Sequence, residues 1–371
     1  MTTMNAAVLD RFDDQAVIPS LGNQLGLDLG AEPLLRAKPG VFFEAPDIDL
    51  NYDLFVVAFS GGKDSWASYL RLIELGVPRS RIEMWFHDVD GREGSTLMEW
   101  PFMADYNRKL AAELGVQLYA SWLVGGFEGE LNKENAYSAP HKVETPDGVI
   151  TLLRDTSRAK PGTRQRFPQV SADLNVRWCS STLKIDVARR AINNQARFNG
   201  LRICFVTGER REESPNRAKY NQLEPHACDR RKGRLARHVD TWRPVLHFNE
   251  SDVWEIMERH GVLAPIPYRL SWPRSSCRSC IFNSPSIWAT LRRYFPGSVE
   301  TIAAYERKFD TTISRDRINV MEIADKATPF NILDEEALAQ AFKAEYTLPI
   351  IDRANWTLPA GAFSNVKCGP T

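Results

Sequence analysis

The chain has 371 residues, of which 43% are hydrophobic and 25% are charged, the composition of an ordinary soluble globular protein. Lysine plus arginine and aspartate plus glutamate both number 47, so the formal net charge is zero. This balance argues against a strong nonspecific polyanion binder, although local charged patches still act. The sequence has no apolar run of the roughly 20 residues that a membrane helix needs. It also lacks the basic and apolar regions of a signal peptide, so a cytoplasmic protein is expected.

The pattern from residue 52 onward alternates between apolar strands and amphipathic helices. Residues 1–50 come first, with scattered glycine and proline and no sustained period, and are interpreted as an extension that packs on the main domain. The predicted strands are DLFVVAFS (53–60), RIEMWFH (81–87), VQLYASWL (116–123) and LRICFVTG (201–208), and the first helices are DSWASYLRLIELG (64–76) and STLMEWPFMADYNRKLAAELG (95–115). Such alternation is typical of a parallel sheet covered on both faces. We predict an α/β fold with a doubly wound parallel sheet and a mostly helical C-terminal region.

Residues 124–176 break this alternation. They are rich in glycine, proline and charge, which predicts a functional insertion or lid. Two further helices are predicted at 248–261 and 334–346, where Asp334 is a plausible N-cap of the second.

The turn between the first strand and its helix reads Ser60-Gly61-Gly62-Lys63-Asp64-Ser65. Adjacent glycines fit neither the Walker A spacing nor the G-x-G-x-x-G spacing. Glycine nevertheless lets the backbone approach a ligand closely, helix N-terminal amides point at anions, and the lysine adds positive charge. The turn therefore predicts a phosphate site, and a simple tight turn into a helix is the alternative.

Several ordered stretches together resemble the adenine-nucleotide alpha-hydrolase family, which includes ATP pyrophosphatases and phosphoadenylylsulfate reductases. They are SGGKDS (60–65), HDVDG (87–91), RWCSSTLK (177–184), GERREESPNR (208–217), WRPVLHFNESDVWEIMERHGVLAPIPY (242–268) and CRSC (277–280). The resemblance covers roughly residues 52–310. It implies a nucleotide-binding catalytic domain over 51–310, followed by a helical C-terminal region and tail over 311–371.

This resemblance implies that ATP, or a related adenylyl anhydride, is cleaved between its α and β phosphates with release of pyrophosphate. Lys63 and the amides of Gly61 and Gly62 would neutralise the leaving pyrophosphate, while Ser60 and Ser65 would hold phosphate oxygens.

The acidic and basic residues near the loop receive roles from the same resemblance. Asp64 would help to bind Mg²⁺ or would cap the helix. Asp88 and Asp90 would meet nucleotide or metal, with a solvated turn as the alternative. In the 208–217 stretch, Gly208 and Glu213 are expected at the nucleotide site. Arg210 and Arg217 would clamp anions there, with Glu213 orienting one of them, unless the stretch is only an exposed helix start.

Six cysteines without an export signal indicate thiols or metal ligands rather than a disulfide framework. Cys277 and Cys280 form a C-x-x-C pair, which fits a redox dithiol, half a zinc site or half an iron–sulfur site. The resemblance to iron–sulfur members of the family adds Cys179, and Cys228 is the candidate for the remaining ligand. We predict a [4Fe–4S] cluster. Zinc with His226, and free or redox-active thiols, are the alternatives.

The arrangement of RWC, LK and CRSC is most similar to the DNA phosphorothioation branch of the family. The implied reaction is adenylation of an acceptor oxygen, after which sulfur from a cysteine desulfurase displaces AMP. A basic run would contact DNA phosphates, unless it is a solvated loop; it contains Arg230, Arg231, Lys232, Arg234 and Arg237. A tRNA thiolation enzyme is an alternative.

Two other functions stay open. A reductase of adenylylsulfate or phosphoadenylylsulfate is similar in carrying a cysteine followed by glycine near its C-terminus, as Cys368 is here. A nucleotide-sensing scaffold without turnover is the third hypothesis, and the presence of Lys63 argues against it.

Overall fold

Eight strands form one sheet within residues 48–364, the part of the chain that the computed structural model describes. In chain order they are β1 (Leu54–Ala58), β2 (Ile82–Asp88), β3 (Gln117–Leu123), β4 (His141–Thr145), β5 (Gly148–Leu152), β6 (Arg202–Val206), β7 (Leu223–Pro225) and β8 (His238–Trp242). Their order across the sheet is β5-β4-β3-β2-β1-β6-β8-β7.

The centre of the sheet is parallel. β1 pairs with β2 on one side and with β6 on the other, β2 pairs with β3, and β6 pairs with β8. β4, β5 and β7 add antiparallel strands at the two edges. The chain runs outward from β1 to β3 and later returns to the opposite side of β1, so β1 and β6 lie at a topological switch point, where such sheets bind ligands. The predicted α/β fold with a doubly wound parallel sheet is confirmed.

Helices and one π-helical turn make up most of the remaining regular structure. The helices described are α1 (Lys63–Glu74), α2 (Met103–Leu114), α3 (Gly126–Leu131), α4 (Trp178–Ser180), α5 (Asp186–Asn193), α6 (Glu250–Arg259), α7 (Ile266–Arg269), α8 (Pro285–Tyr294), α9 (Ser298–Phe309), α10 (Val320–Asp325) and α11 (Glu335–Gln340). The π-helical turn, Ser181–Ile185, connects α4 to α5. From α6 onward helices follow one another without a named strand, and α10 and α11 lie within the region predicted over 311–371. Among the helices described here, none combines the length and hydrophobicity of a membrane span.

Both faces of the central strands are buried. In β1, Phe55 and Val57 belong to the larger apolar core, and Val56 belongs to a second core on the other face. A strand covered on both sides has no position at which water favours a polar residue, which explains the uninterrupted apolar run.

The helix predicted over 95–115 begins only at Met103, as α2. The carboxylate of Asp90 accepts the backbone N–H groups of Met98 and Glu99 at 2.9 and 2.8 Å. The indole of Trp100 also donates to the carbonyl of Ser276 at 3.0 Å. These contacts hold residues before α2 in a loop, because a side chain competes with helical hydrogen bonding for the same backbone groups.

The insertion at 124–176 contains α3 and the hairpin β4–β5, which extends the sheet beyond β3. Gly148, at the end of the tight turn, has a φ of +115°, a conformation that favours glycine. The predicted cap of the 334–346 helix is confirmed, since Oδ1 of Asp334 accepts from the backbone N–H of Ala337 at 2.9 Å. Most of the predicted N-terminal extension lies outside the described residues.

Candidate functional site

The glycine loop lies between β1 and α1 at the centre of the sheet. Gly61 has a φ of +77°, a left-handed conformation that glycine adopts without strain. A Cβ atom at this position would come within 3.0 Å of Sδ of Met103 and of Oδ1 of Asn107. Both of those side chains belong to α2. The first glycine of the loop is therefore required by its backbone conformation and by the close packing of α2.

The N-terminus of α1 has no side-chain cap among the described residues. Gly62 precedes the helix in an extended conformation. Ser65 donates its hydroxyl to the carbonyl of Gly62 at 2.8 Å, and Oγ of Ser60 lies 3.4 Å from Oγ of Ser65. Uncapped amides and the partial positive charge of a helix end favour an anion.

Lys63 and Arg210 share one carboxylate beside this helix end. Nζ of Lys63 lies 3.1 Å from Oδ2 of Asp64, and Nε of Arg210 donates to Oδ1 of Asp64 at 2.6 Å. Burial disfavours the charge of Lys63, yet Asp64 raises the pKa of this lysine. Burial also opposes ionisation of Asp64, but Lys63 and Arg210 hold its pKa below the ordinary value. The three groups are therefore charged at neutral pH and already positioned, and both oxygens of Asp64 are engaged.

The segment after β6 reaches α1 through Gly208. A Cβ atom on Gly208 would lie 2.6 Å from the backbone oxygen of Asp64, so a larger residue would push the two segments apart. Beyond this contact, the backbone N–H of Arg210 donates to Oε2 of Glu213 at 2.8 Å, and Glu213 forms an ion pair with Arg217. The loop thus aligns Arg210 with α1 and ties Arg217 to the same carboxylate.

A cavity of about 420 Å³ opens at the carboxyl end of β2. Its lining includes Asp88, Asp90, Glu99, Trp100 and Met103. The cavity adjoins the glycine loop because Met103 also packs on Gly61. Arg92 and Arg108 also line it, and its volume and its wall of apolar and charged residues are typical of small-molecule sites.

Asp88 and Asp90 are both buried in the wall of this cavity, at 7% and 4% exposure. Burial raises the pKa of Asp88 to about 7 and that of Asp90 to about 6. Asp90 holds the loop before α2 through the backbone N–H groups of Met98 and Glu99. The carboxylate of Asp90 therefore stabilises this loop. Asp88 is the carboxyl group that changes its charge near pH 7.

Three cysteines and one lysine form a second polar group, which we call the cysteine group: Cys179, Cys277, Cys280 and Lys184. The three thiols are half-buried. Burial, reinforced by Cys280, raises the pKa of Cys179 to about 11, and burial together with Glu99 raises that of Cys277 well above its ordinary value. Desolvation opposes the charge of Lys184, but Cys277 and Glu99 raise the pKa of this lysine. Cys179 and Cys277 are thus held as neutral thiols beside a cation.

The prediction that Cys228 completes a cluster with these cysteines is wrong. Its Sγ lies 3.6 Å from the carbonyl oxygen of Arg189, in the core on the face of Val56. Cys179 and Cys277 pack against the core of the other face. Within residues 48–364, no three His, Cys, Asp or Glu side chains are arranged to hold a metal ion. The residues do not fit a [4Fe–4S] cluster with this set of four ligands.

The zinc alternative meets the same obstacle. Nδ1 of His226 accepts from the backbone N–H of Cys228 at 3.1 Å, and its ring packs on Phe205, 5.0 Å between centroids. His226 therefore lies with Cys228, apart from the C-x-x-C pair. Cys204 is buried in β6, and Cys368 lies outside the described residues.

The basic run has a partly structural role. Arg237 is 1% exposed, and its Nη1 donates to the carbonyl of Ile192 at 3.0 Å. Arg231 pairs with Asp229 at 2.7 Å. The prediction of a DNA contact is wrong for Arg237, whose guanidinium is enclosed. The exposed members are Arg230, Lys232 and Arg234.

Tertiary packing brings three residues to the glycine loop that sequence reasoning did not single out. The ring of Tyr268 lies 5.9 Å from Nζ of Lys63, and the backbone oxygen of Ser275 lies 3.4 Å from the Cβ position of Gly62. The side-chain polar atoms of Asn107 and Ser275 are buried without a hydrogen-bond partner among the described residues. Tyr268 follows a proline turn, which is a weak indication of a functional site in the sequence. No feature of the sequence around Asn107 or Ser275 indicates that they reach the glycine loop.

The chain matches no protein-family model. It is similar to a protein of Escherichia phage 186, described as an uncharacterized 37.8 kDa protein in the gpa 5' region, with 28% identity over 267 residues, covering 68% of this chain and 74% of the phage protein. Two structures of Candida glabrata FMN adenylyltransferase, one in complex with ATP, superpose with a TM-score of 0.27 at 12% and 13% identity, covering 60% of this chain and 52% of theirs. The chain thus spans about half the length of that enzyme, and a superposition this weak carries no functional conclusion.

Proposed function

We propose that this chain is an ATP pyrophosphatase that adenylates an oxygen of an acceptor and thereby prepares that acceptor for sulfur insertion, as in DNA phosphorothioation. The observation that carries the proposal is the uncapped N-terminus of α1, next to Lys63 and Arg210 held on the carboxylate of Asp64. Such an arrangement suits a transferring or leaving phosphate, because its charges are oriented before the ligand arrives.

In the proposed reaction the acceptor oxygen attacks the α-phosphorus of ATP, and the bond from that phosphorus to the β-phosphate bridging oxygen breaks. Lys63 and the amides of α1 receive the negative charge that develops on pyrophosphate. The cavity at the end of β2 adjoins the loop and is suited by its volume to the nucleoside. A cysteine desulfurase then supplies a persulfide, whose terminal sulfur attacks the adenylated acceptor, and AMP leaves. A second thiol attacks the resulting S–S bond and releases the thiolated acceptor, and an external dithiol reductant reopens the disulfide that remains.

Magnesium enters this proposal with the nucleotide. Mg²⁺ commonly binds through one or two carboxylates together with substrate phosphates and waters. Both oxygens of Asp64 are already paired with cations. Asp88, whose raised pKa leaves it partly neutral near pH 7, is the carboxyl in the cavity wall that a bound cation would ionise.

The cysteine group is the proposed place at which sulfur is handled. The proposal needs no four-cysteine cluster, since Cys228 packs on the other face of the sheet. The neutral thiols of Cys179 and Cys277 gain nucleophilic character only when they lose their protons, and Lys184 is the cation placed to favour that loss.

The test is pyrophosphate release from ATP by the full chain, with a desulfurase and DNA present. Lys63→Ala is expected to lower turnover at least a hundredfold, because a buried charge that faces the leaving group is lost. Lys326→Ala, on an exposed lysine, is the control and should keep wild-type turnover. Equal turnover of the two variants would remove the phosphate role of the loop. ATP binding that persists in wild type without any turnover would favour a nucleotide-sensing scaffold.

A further inference from the structure

Two guanidinium groups share one aromatic ring next to the cysteine group. Cζ of Arg274 lies 5.2 Å, and Cζ of Arg177 lies 5.9 Å, from the centroid of the Phe282 ring. Arg177 stands two residues before Cys179, while Arg274 and Phe282 flank the C-x-x-C pair. Packing thus gathers cations from the two chain segments that supply the thiols.

Neither guanidinium is neutralised by the part of the chain that the structure describes. No carboxylate within residues 48–364 forms an ion pair with Arg177 or Arg274, and Nε of Arg177 is buried without a hydrogen-bond partner there. Arg210 and Arg92 are paired with Asp64 and Glu144, each at 2.6 Å. Arg278, inside the C-x-x-C pair, forms no ion pair within residues 48–364 but donates to the carbonyl of Thr96 at 2.8 Å. Two like charges on one ring repel each other, and a buried donor without an acceptor is unfavourable. An anion bound by these guanidinium groups would relieve both costs.

The two arginines belong to segments that contact the glycine loop or carry the thiols. Ser275, next to Arg274, contacts the loop, because its Cβ atom is 3.4 Å from the Cβ position of Gly62. The hydroxyl of Ser275 is also buried without a partner among the described residues. At the other end, Arg177 acts electrostatically on Cys179. A ligand on the two arginines would therefore border both the phosphate site and the thiols, which is the position that an acceptor must occupy.

We propose that Arg177 and Arg274, supported by the ring of Phe282, form an oxyanion subsite that binds a phosphate or sulfate ester group of the acceptor. This inference rests on the proposed function, since the acceptor is defined by its reaction with ATP. Guanidinium groups bind tetrahedral oxyanions through bidentate hydrogen bonds. An aromatic ring helps to position guanidinium groups by cation–π attraction. A neutral base as acceptor would leave both charges without a counterion.

The experiment measures binding to the full chain of two probes, a fluorescent DNA oligonucleotide and adenylylsulfate. Arg177→Met and Arg274→Met remove charge and keep an apolar stem. Each is expected to weaken probe binding about tenfold, and for DNA to lower the slope of log affinity against log salt by about 1. A loss confined to adenylylsulfate, an anhydride of phosphate and sulfate, would also support the oxyanion subsite and would assign it to a small sulfate-bearing ligand. Unchanged binding of both probes in the double variant, or no binding of either probe by wild type, would overturn it.

Three controls separate this outcome from misfolding and from failure of the proposed function. Arg315→Met, on an exposed arginine, should bind both probes as wild type does. Arg274→Lys should bind the probes more tightly than Arg274→Met and less tightly than wild type, because lysine returns the positive charge without the planar guanidinium group. If Arg274 had only a structural role, the affinities of these three proteins would not follow this order. ATP affinity and melting temperature should stay unchanged in the arginine variants. If wild type does not bind ATP, the proposed function is contradicted. The effect of the arginine variants on binding of the two probes can still be measured in that case.

Discussion

Arg210 donates its Nε to Oδ1 of Asp64 at 2.6 Å, and this contact joins the loop after β6 to the first turn of α1. The second oxygen of Asp64 lies 3.1 Å from Nζ of Lys63. Two stretches far apart in sequence, 60–65 and 208–217, thereby form one site. Because the carboxylate holds both cations before a ligand binds, less side-chain freedom is lost on binding.

Replacing this carboxylate should therefore affect stability as well as nucleotide binding. Asp64→Asn leaves Lys63 and Arg210 buried near each other without the charge between them, and we expect the free energy of unfolding at pH 7 to fall by about 3 kcal/mol. Urea denaturation measures this change. Asp316→Asn, on an exposed side chain, should shift it by less than about 0.5 kcal/mol. Wild-type stability in Asp64→Asn would show that the cations are not held by this residue.

Gly61 and Gly76 offer a matched pair, since both have a φ of +77°. Nothing lies within 4 Å of a Cβ atom at Gly76, whereas one at Gly61 would meet Met103 and Asn107 at 3.0 Å. Gly76→Ala should cost about 1 kcal/mol of unfolding free energy from the backbone alone. Gly61→Ala should cost about 1–3 kcal/mol more from crowding, and should weaken ATP binding. Calorimetry measures the free energy of unfolding of both variants. Equal losses of this free energy would mean that α2 shifts to make room for the added methyl group.

The buried carboxyl of Asp88 predicts a pH dependence of stability. Its pKa is raised by burial from 3.8 to about 7, so the folded protein binds a proton that the unfolded chain has released. Stability should therefore fall as pH rises from about 4 to about 7, and should level off above that. Asp88→Asn removes this proton, and its unfolding free energy should vary less with pH over the same window. Parallel pH profiles for wild type and Asp88→Asn would contradict the raised pKa.

The two cysteines assigned to opposite faces of the sheet should behave differently. Cys277→Ser is expected to abolish sulfur insertion while ATP binding survives, because the thiol is lost from the cysteine group and the glycine loop is untouched. Cys228→Ser should retain sulfur insertion, since its Sγ contacts Arg189 in the other core. Mass spectrometry of the DNA after reaction provides the measurement. If Cys228→Ser folds normally but loses sulfur insertion, Cys228 takes part in the reaction and the assignment is wrong.

The central strands could be predicted because both of their faces are buried. The apolar runs at 54–58 and 202–206 carry this signal without help from distant residues. The start of α2 could not be predicted, because Asp90 takes up the backbone N–H groups of Met98 and Glu99. The β4–β5 hairpin lies within the predicted insertion, and the sequence TPDG at 145–148 is a recognisable signal for its turn.

The local parts of the site can be recognised in the sequence: a glycine-rich turn after an apolar strand, a lysine at the helix start, and a C-x-x-C pair. These depend on backbone conformation and on neighbours within one turn, which residue types encode directly. Which distant groups meet depends on the three-dimensional packing of the chain. Arg237 is enclosed and bound to Ile192, whereas Arg177 and Arg274 share Phe282. Cys228 packs on one face of the sheet, and Cys179 and Cys277 on the other. Such choices follow from which side chains pack across the sheet, and no local pattern records them.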